Sequence, residues 1–221
     1  MTHTVAFLHS TPDHVETFDA LLAATGMDVA AVHEVREEWL ARARERGVDV
    51  ELLGEVRALL SRLAGEADVV LCTCSTLGPI ADSLGAENVL RVDRPMMERA
   101  VAVGGQVLLV LCLDSTKEAS RNLLLSCFEA AGRQPDYRML MIPDAWPARE
   151  AGDLDAFSAT IARWVAAALS VEPSISCIVL GQASMRPVRP ALVASGVPVL
   201  TSPESAVARI AELLDTTLRL E

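Results

Sequence analysis

Two short segments of this 221-residue chain return about 105 and 109 residues further on. "FLHST", ending at Thr11, rhymes with "LCLDST", ending at Thr116, and "VVLCTCST" from Val69 rhymes with "IVLGQASM" from Ile178. In each pair an apolar run of β-formers breaks into a hydroxyl-rich turn. A spacing this long is that of a duplicated unit, so the chain reads as two similar halves.

Each half alternates short apolar runs with amphipathic stretches, the pattern of parallel strands joined by helices. In the first, "TVAFLHS" reads as a buried strand. In "TPDHVETFDALLAATG" Thr11 is placed to cap a helix, Pro12 suits its first position and Gly26 its end. "DVAAVHEV", "DVVLCTC" and "NVLRVD" are further strands, with helices "REEWLARARERG" and "VELLGEVRALLSRLAGEA" between them; Glu38 and Arg42 sit one turn apart as a supporting pair. "TLGPIAD" reads as a turn, and "RPMMERAVAVGG" as a helix. The second half offers "QVLLVLCL", a helix with Ser115 and Glu118 at capping-box spacing, the helix "DLDAFSATIARWVAAALS", the strand that opens "IVLGQASM", the strand "VPVL", and the closing helix "PESAVARIAELLDTTLRL". With 51% hydrophobic residues and only 4% aromatics, the core must be built from Ala, Val, Leu and Ile. The expectation is an α/β protein of two pseudo-symmetric lobes, each a short parallel sheet flanked by helices, with a cleft between them. Residues 1–95 plus 201–221 would form one lobe and 96–200 the other.

A formal charge of −11 leaves no basic stripe to neutralise phosphates, which excludes nucleic acid and anionic membrane as expected partners. The N-terminus has no basic and apolar leader, and no apolar run reads as the ~18–20 residues that cross a bilayer. A cytoplasmic address is expected. Five cysteines, at 72, 74, 112, 127 and 177, are an odd number in a chain large enough to fold without staples, and they read as reduced thiols.

In parallel sheets, ligands sit beyond the carboxyl ends of the strands. Ser10, Thr11, Cys74, Ser75, Thr76, Ser115, Thr116 and Ser184 all follow such ends, so they are expected to converge on one cleft. Cys72 and Cys74 lack the second Cys/His pair of a zinc site and the Cys-x-x-Cys of a redox site. Cys72 reads as core packing; Cys74 alone sits where strand becomes loop. Hydroxyls and free backbone N–H groups there suit it to carry a proton or act as a nucleophile. His9 and His14 flank the first loop and read as exposed loop residues. Cys112 reads as core, Asp114 as a cap or a base, and Arg94 and Arg186 as surface charges or carboxylate clamps.

"ADVVLCTCSTLG" resembles the first cysteine motif of the aspartate/glutamate racemase superfamily, in which Asp and an apolar run lead to Cys-Asn-Thr. Cys74 falls on the family cysteine, Ser75 on the Asn and Thr76 on the Thr. The resemblance extends over nearly the whole chain, with "HST" after the first strand and "LDST" opening the second half. It implies an enzyme without metal or organic cofactor, acting on a small carboxylate or amino acid by proton transfer at carbon, and a homodimer as the candidate assembly. The family carries a second cysteine in a segment like Leu-Gly-Cys-Thr, whereas this chain reads "VLGQASMRP", with Gln182 or Ala183 in its place. Neither exchanges a proton. Three routes stay open. His33 is a second acid/base group by its ordinary pKa near 6.5; or one thiol suffices, as in a decarboxylase-like lyase; or Cys74 attacks an electrophile covalently. Cys74 and His33 are thus the catalytic candidates. Ser10, Thr11, Ser75, Thr76, Ser115, Thr116, Gln182 and Ser184 are the binding candidates. The contrasting class is a small-carboxylate-binding protein without turnover.

Overall fold

A computed structural model describes residues 2–218. The chain divides into two compact units, one running to Pro95 and resuming at Pro203, the other spanning Met96–Ser202.

The first unit is built on the strands β1 (His3–His9), β2 (Val29–Val35), β3 (Val69–Cys72) and β4 (Val89–Arg91), with helices α1 (Asp13–Thr25), α2 (Glu37–Arg46), α3 (Val50–Glu66) and α4 (Gly78–Ser83) between them; α5 (Arg94–Val103) follows. Its sheet has the order β2-β1-β3-β4, all parallel. Strand alternation sorts the core onto two faces. Ala6, Leu8, Val70 and Cys72 pack with Trp39, Leu52, Val56 and Leu60 of α2 and α3. Val5, Phe7, Val69 and Leu71 pack with Phe18 and Leu22 of α1 and with Ala206, Val207 and Ile210.

The second unit repeats the plan with β5 (Gln106–Leu111), α6 (Asp114–Ala130), β6 (Tyr137–Met141), α7 (Trp146–Glu150), α8 (Leu154–Val171), β7 (Ile175–Leu180), α9 (Arg189–Leu192) and β8 (Val199–Thr201). Its order, β6-β5-β7-β8, is also all parallel. The rhyming segments therefore occupy matching places, β1 with β5 and β3 with β7. The last helix, α10 (Ser202–Leu218), lays Ala206, Val207, Ile210 and Leu214 on the first sheet. The final residues of the expected closing helix and of the 201–221 segment lie outside the described residues.

Several local expectations change. Pro12 precedes α1 rather than opening it and no side chain caps it, while Gly26 ends it at φ 72°. Helix α6 begins at Asp114, so Ser115 is already helical and is not its cap. Arg42 turns from Glu38 to Glu55 and Glu51 of α3. "GPIADS" is helical, because Pro79 suits a first turn. Strand β6, "YRMLM", went unread: only Tyr137 in it is a strong β-former, and tertiary pairing decides it. Helix α8 has 18 residues of mean hydropathy 1.3, so by length and composition one helix does meet the requirement for a span. Its stripe of Phe157, Ile161, Val165 and Ala168 is buried in the core of the second unit.

Candidate active site

Leu8 and Cys72 are register partners on β1 and β3. Two residues further along each chain, on the same side by alternation, come Ser10 and Cys74. The Cys74 thiol is hydrogen-bonded by the Ser10 hydroxyl, by the backbone N–H groups of Leu77 and Thr76, and by the Thr76 hydroxyl. The backbone donors come from a tight turn in which Leu77 N–H also donates to the Cys74 carbonyl at 3.1 Å. Ser10, Ser75 and Thr76 are buried with it. Burial pushes the Cys74 thiol above its ordinary range, and the four donors pull the other way. It rests as a thiol whose thiolate already has a cradle. Cys72, whose thiol faces the Cys74 carbonyl at 3.8 Å, is driven by burial to about 12. Burial drives Cys112 to about 12 and Cys177 to about 11.

The opposite face of the same strand ends holds a histidine cluster. His9 and His14 are buried, not exposed as read from the sequence. His9 is the last residue of β1, on the inward face with Val5 and Phe7, and His14 lies on the inner side of α1. Thr73 Oγ1 is 3.0 Å from the Leu8 carbonyl, 2.9 Å from His9 Nδ1 and 3.4 Å from His14 Nδ1. His9 Nε2 is 2.8 Å from His33 Nδ1, and His33 Nε2 is 3.0 Å from Asp19 Oδ1. The His33 ring also stacks on Phe7, its register partner. Both ring nitrogens of His33 are thus engaged within this network. Among the described residues no group of three or more His, Cys, Asp or Glu has a metal-holding arrangement.

Arg91 is clamped by Asp93 through Nε at 2.7 Å and Nη2 at 3.0 Å, and by Asp82 through Nη1 at 2.9 Å. Gly78 makes room for it: a Cβ there would lie 2.9 Å from Arg91 Nε. Arg94, a candidate clamp, pairs with Asp82 instead.

In the second unit, Gln182 follows β7 and is buried, its Oε1 accepting the Cys112 N–H at 2.6 Å. The turn depends on Gly181, where a Cβ would lie 2.5 Å from Leu111 Cδ2. Ser184 is buried in the 3-10 turn that follows. The Thr116 hydroxyl donates to the Leu113 carbonyl at 2.7 Å, and Ser115 lies beside it in the first turn of α6. Cys112 packs in the core. Thr11 keeps its hydroxyl buried with no hydrogen-bond partner.

Sequence reasoning brought Ser10, Cys74, Ser75 and Thr76 to one loop cluster in the first unit. It missed Thr73 and Asp19, and the clamp on Arg91. Alternation carried the signal for Thr73, which had to face away from Cys74.

No protein-family model matches this sequence, and a comparison with curated proteins finds no match either. Solved structures do match in fold. Glutamate racemase from Thermus thermophilus superposes with a TM-score of 0.71 at 17% identity, over 98% of this chain and 82% of its own. Aspartate racemase from Picrophilus torridus gives 0.66 at 14% identity, over 97% and 94%. A mutant of arylmalonate decarboxylase gives 0.61 at 18% identity, over 95% and 92%. The class is therefore that of a two-sheet parallel α/β protein with the fold these racemases and the decarboxylase share.

Proposed function

We propose that this protein is an isomerase-like enzyme that moves a proton at carbon in a small carboxylate or amino acid, without metal or organic cofactor, using Cys74. The observation that carries the reading is the ring of four donors on one buried thiol. Such a ring has little value for a packing cysteine, but it stabilises a thiolate that forms only during turnover. In one direction the thiolate takes the proton from carbon; in the other the thiol returns it. Ser10, Thr11, Ser75 and Thr76 are the groups proposed to hold substrate oxygens in the first unit. Gln182, Ser184, Ser115 and Thr116 are those proposed in the second. The fold likeness to racemases agrees with this reading.

A second reading has its own support. A thiol raised above its ordinary range rests protonated, the state a proton donor needs. A lyase that releases carbon dioxide leaves an enolate that one thiol protonates, and Gln182 stands where a second thiol is expected. The test is proton exchange by NMR in heavy water across a panel of small 2-amino, 2-hydroxy and malonate-type acids. The expected result is solvent deuterium entering at one carbon, with Cys74→Ala slower by roughly 10²–10⁴-fold. Carbon dioxide release selects the lyase. An exchange rate unchanged in Cys74→Ala overturns the assignment of Cys74.

A further inference from the structure

Strand β2 is an edge of the first sheet, bonded to β1 alone. His3 N–H donates to the Asp28 carbonyl at 3.1 Å and Arg36 N–H to the His9 carbonyl at 2.9 Å. By alternation, the even-numbered residues from 28 to 36 give their backbone groups to β1. Val29, Ala31, His33 and Val35 turn theirs outward. Among the described residues only the Val35 carbonyl is met there, by Arg36 Nη1 at 2.9 Å, and it keeps a second lone pair. Ala30, Ala31 and Val32 are exposed. Proteins blunt such edges with short strands, charges, proline or a bulge. The other edges follow that rule: β4 and β8 have three residues each, and β6 carries Arg138, paired with Glu172. β2 has seven residues in unbroken register and no proline. Its one charge, Glu34, is turned to Arg36 and Arg62.

We propose that the β2 edge pairs antiparallel with β2 of a second copy of this chain, about a two-fold axis at Val32, joining two first-unit sheets into one. In that register the segment is complementary to itself, as an interface on a two-fold axis must be. The outward groups of Ala31 meet those of His33, and those of Val29 meet those of Val35, so each residue finds both a donor and an acceptor. On the other face Val32 meets Val32 of the other copy and Glu34 meets Ala30. At each end of the ribbon, Asp28 of one copy meets Arg36 of the other. Asp28 is exposed, and Arg36, beside Glu34 at 2.8 Å, is part exposed. A slip of two residues one way sets Asp28 against Glu34, and like charges directly opposite destabilise a pair. The other way sets His33 against His33 and leaves Arg36 facing Ala30. The charge match at both ends selects a second copy over an unrelated strand. Ala31 is small, so the His33 ring keeps its contacts with His9 and Asp19. Neither Cys74 nor its donors take part, and the pairing does not rest on the proposed activity.

Sedimentation velocity of the full chain over a range of concentrations should show a species of twice 23.6 kDa. Val32→Lys, at a side chain 44% exposed, sets like charges together at the axis and should raise the dissociation constant at least about tenfold. Asp28→Arg should weaken the dimer by setting a guanidinium against Arg36, and adding Arg36→Asp should restore it. Cross-linking reads the register without a change of charge. At the axis, opposed Cα atoms lie about 4.5 Å apart, within disulfide reach. The two Ala31 residues lie diagonally, about 7–8 Å apart. All five native cysteines are buried, so under mild oxidation Val32→Cys should link two copies and Ala31→Cys should not. A single-copy mass at every concentration, a dimer indifferent to Val32→Lys or to Asp28→Arg, or equal linkage in the two cysteine variants overturns the proposal.

Discussion

The Ser10 hydroxyl donates to the Cys74 thiol, joining the loop after β1 to the loop after β3. The contact follows from register, since Leu8 and Cys72 are opposed and each lies two residues before its partner in the pair. The same alternation sends His9 and Thr73 to the other face, where they meet each other. One pair of adjacent strands thus carries Cys74 on one side and the histidine cluster on the other.

Ser10→Ala removes one donor to the thiolate and leaves its burial unchanged. Cys74 alkylation at fixed pH should slow by about three- to tenfold, the value of one ordinary hydrogen bond. Ser10→Thr keeps the hydroxyl and should restore most of the rate. Peptide-mapped labelling kinetics check both.

The alternation that predicts Ser10 beside Cys74 was legible in the sequence, as was the match of β1 with β5 and β3 with β7 in the repeat offsets. The histidine cluster was not. A histidine next to a hydroxyl-rich loop looks like surface, and only the pairing of His33 with Phe7 on β1 brings that ring over the sheet. Asp19 lies 14 residues from His33, a separation with no local period. Strand β6 was hidden for the reverse reason, because its residues carry weak local preference and gain their conformation from β5.

His9 makes stability depend on pH. Its folded pKa is lowered to about 3, by burial first and then by His14 and His33, against an unfolded value of about 6.5. Between these values the unfolded chain binds a proton that the folded chain refuses, so stability rises with pH. The contribution is complete above about 6.5 and is lost as pH falls toward about 3, at up to about 1.4 kcal/mol per pH unit. In His9→Asn, which keeps a donor toward Thr73, this slope should disappear. Urea unfolding at about pH 4.5 and pH 7, in both proteins, measures the difference.

Arg91 and Asp93 are both buried, at 3% and 0% side-chain exposure, and the guanidinium of their bidentate pair lies against Gly78. Removing Asp93 strips two of the three hydrogen bonds from a buried guanidinium and leaves it only the part-exposed Asp82, so Asp93→Ala should cost about 3 kcal/mol, the lower end for breaking a buried pair. Gly78→Ala tests the same clamp without touching a charge. Its new methyl would press on a guanidinium already fixed by Asp93 and Asp82. A loss of about 1–3 kcal/mol is expected from overpacking, read by chemical denaturation.

Gln182 bears on whether its position answers to chemistry alone. Its Oε1 accepts the Cys112 N–H at 2.6 Å, at the end of β5, where that donor is buried. A residue serving only substrate could be exchanged with no effect on the free protein. Gln182→Met has a similar volume and no oxygen, so it should orphan the Cys112 amide, cost about 1–3 kcal/mol and speed hydrogen exchange at that amide. Unchanged stability with weakened substrate binding would instead give Gln182 a binding role and no structural one. If both change, the carboxamide holds the strand end with its oxygen, and its NH₂ group is the donor that substrate binding uses.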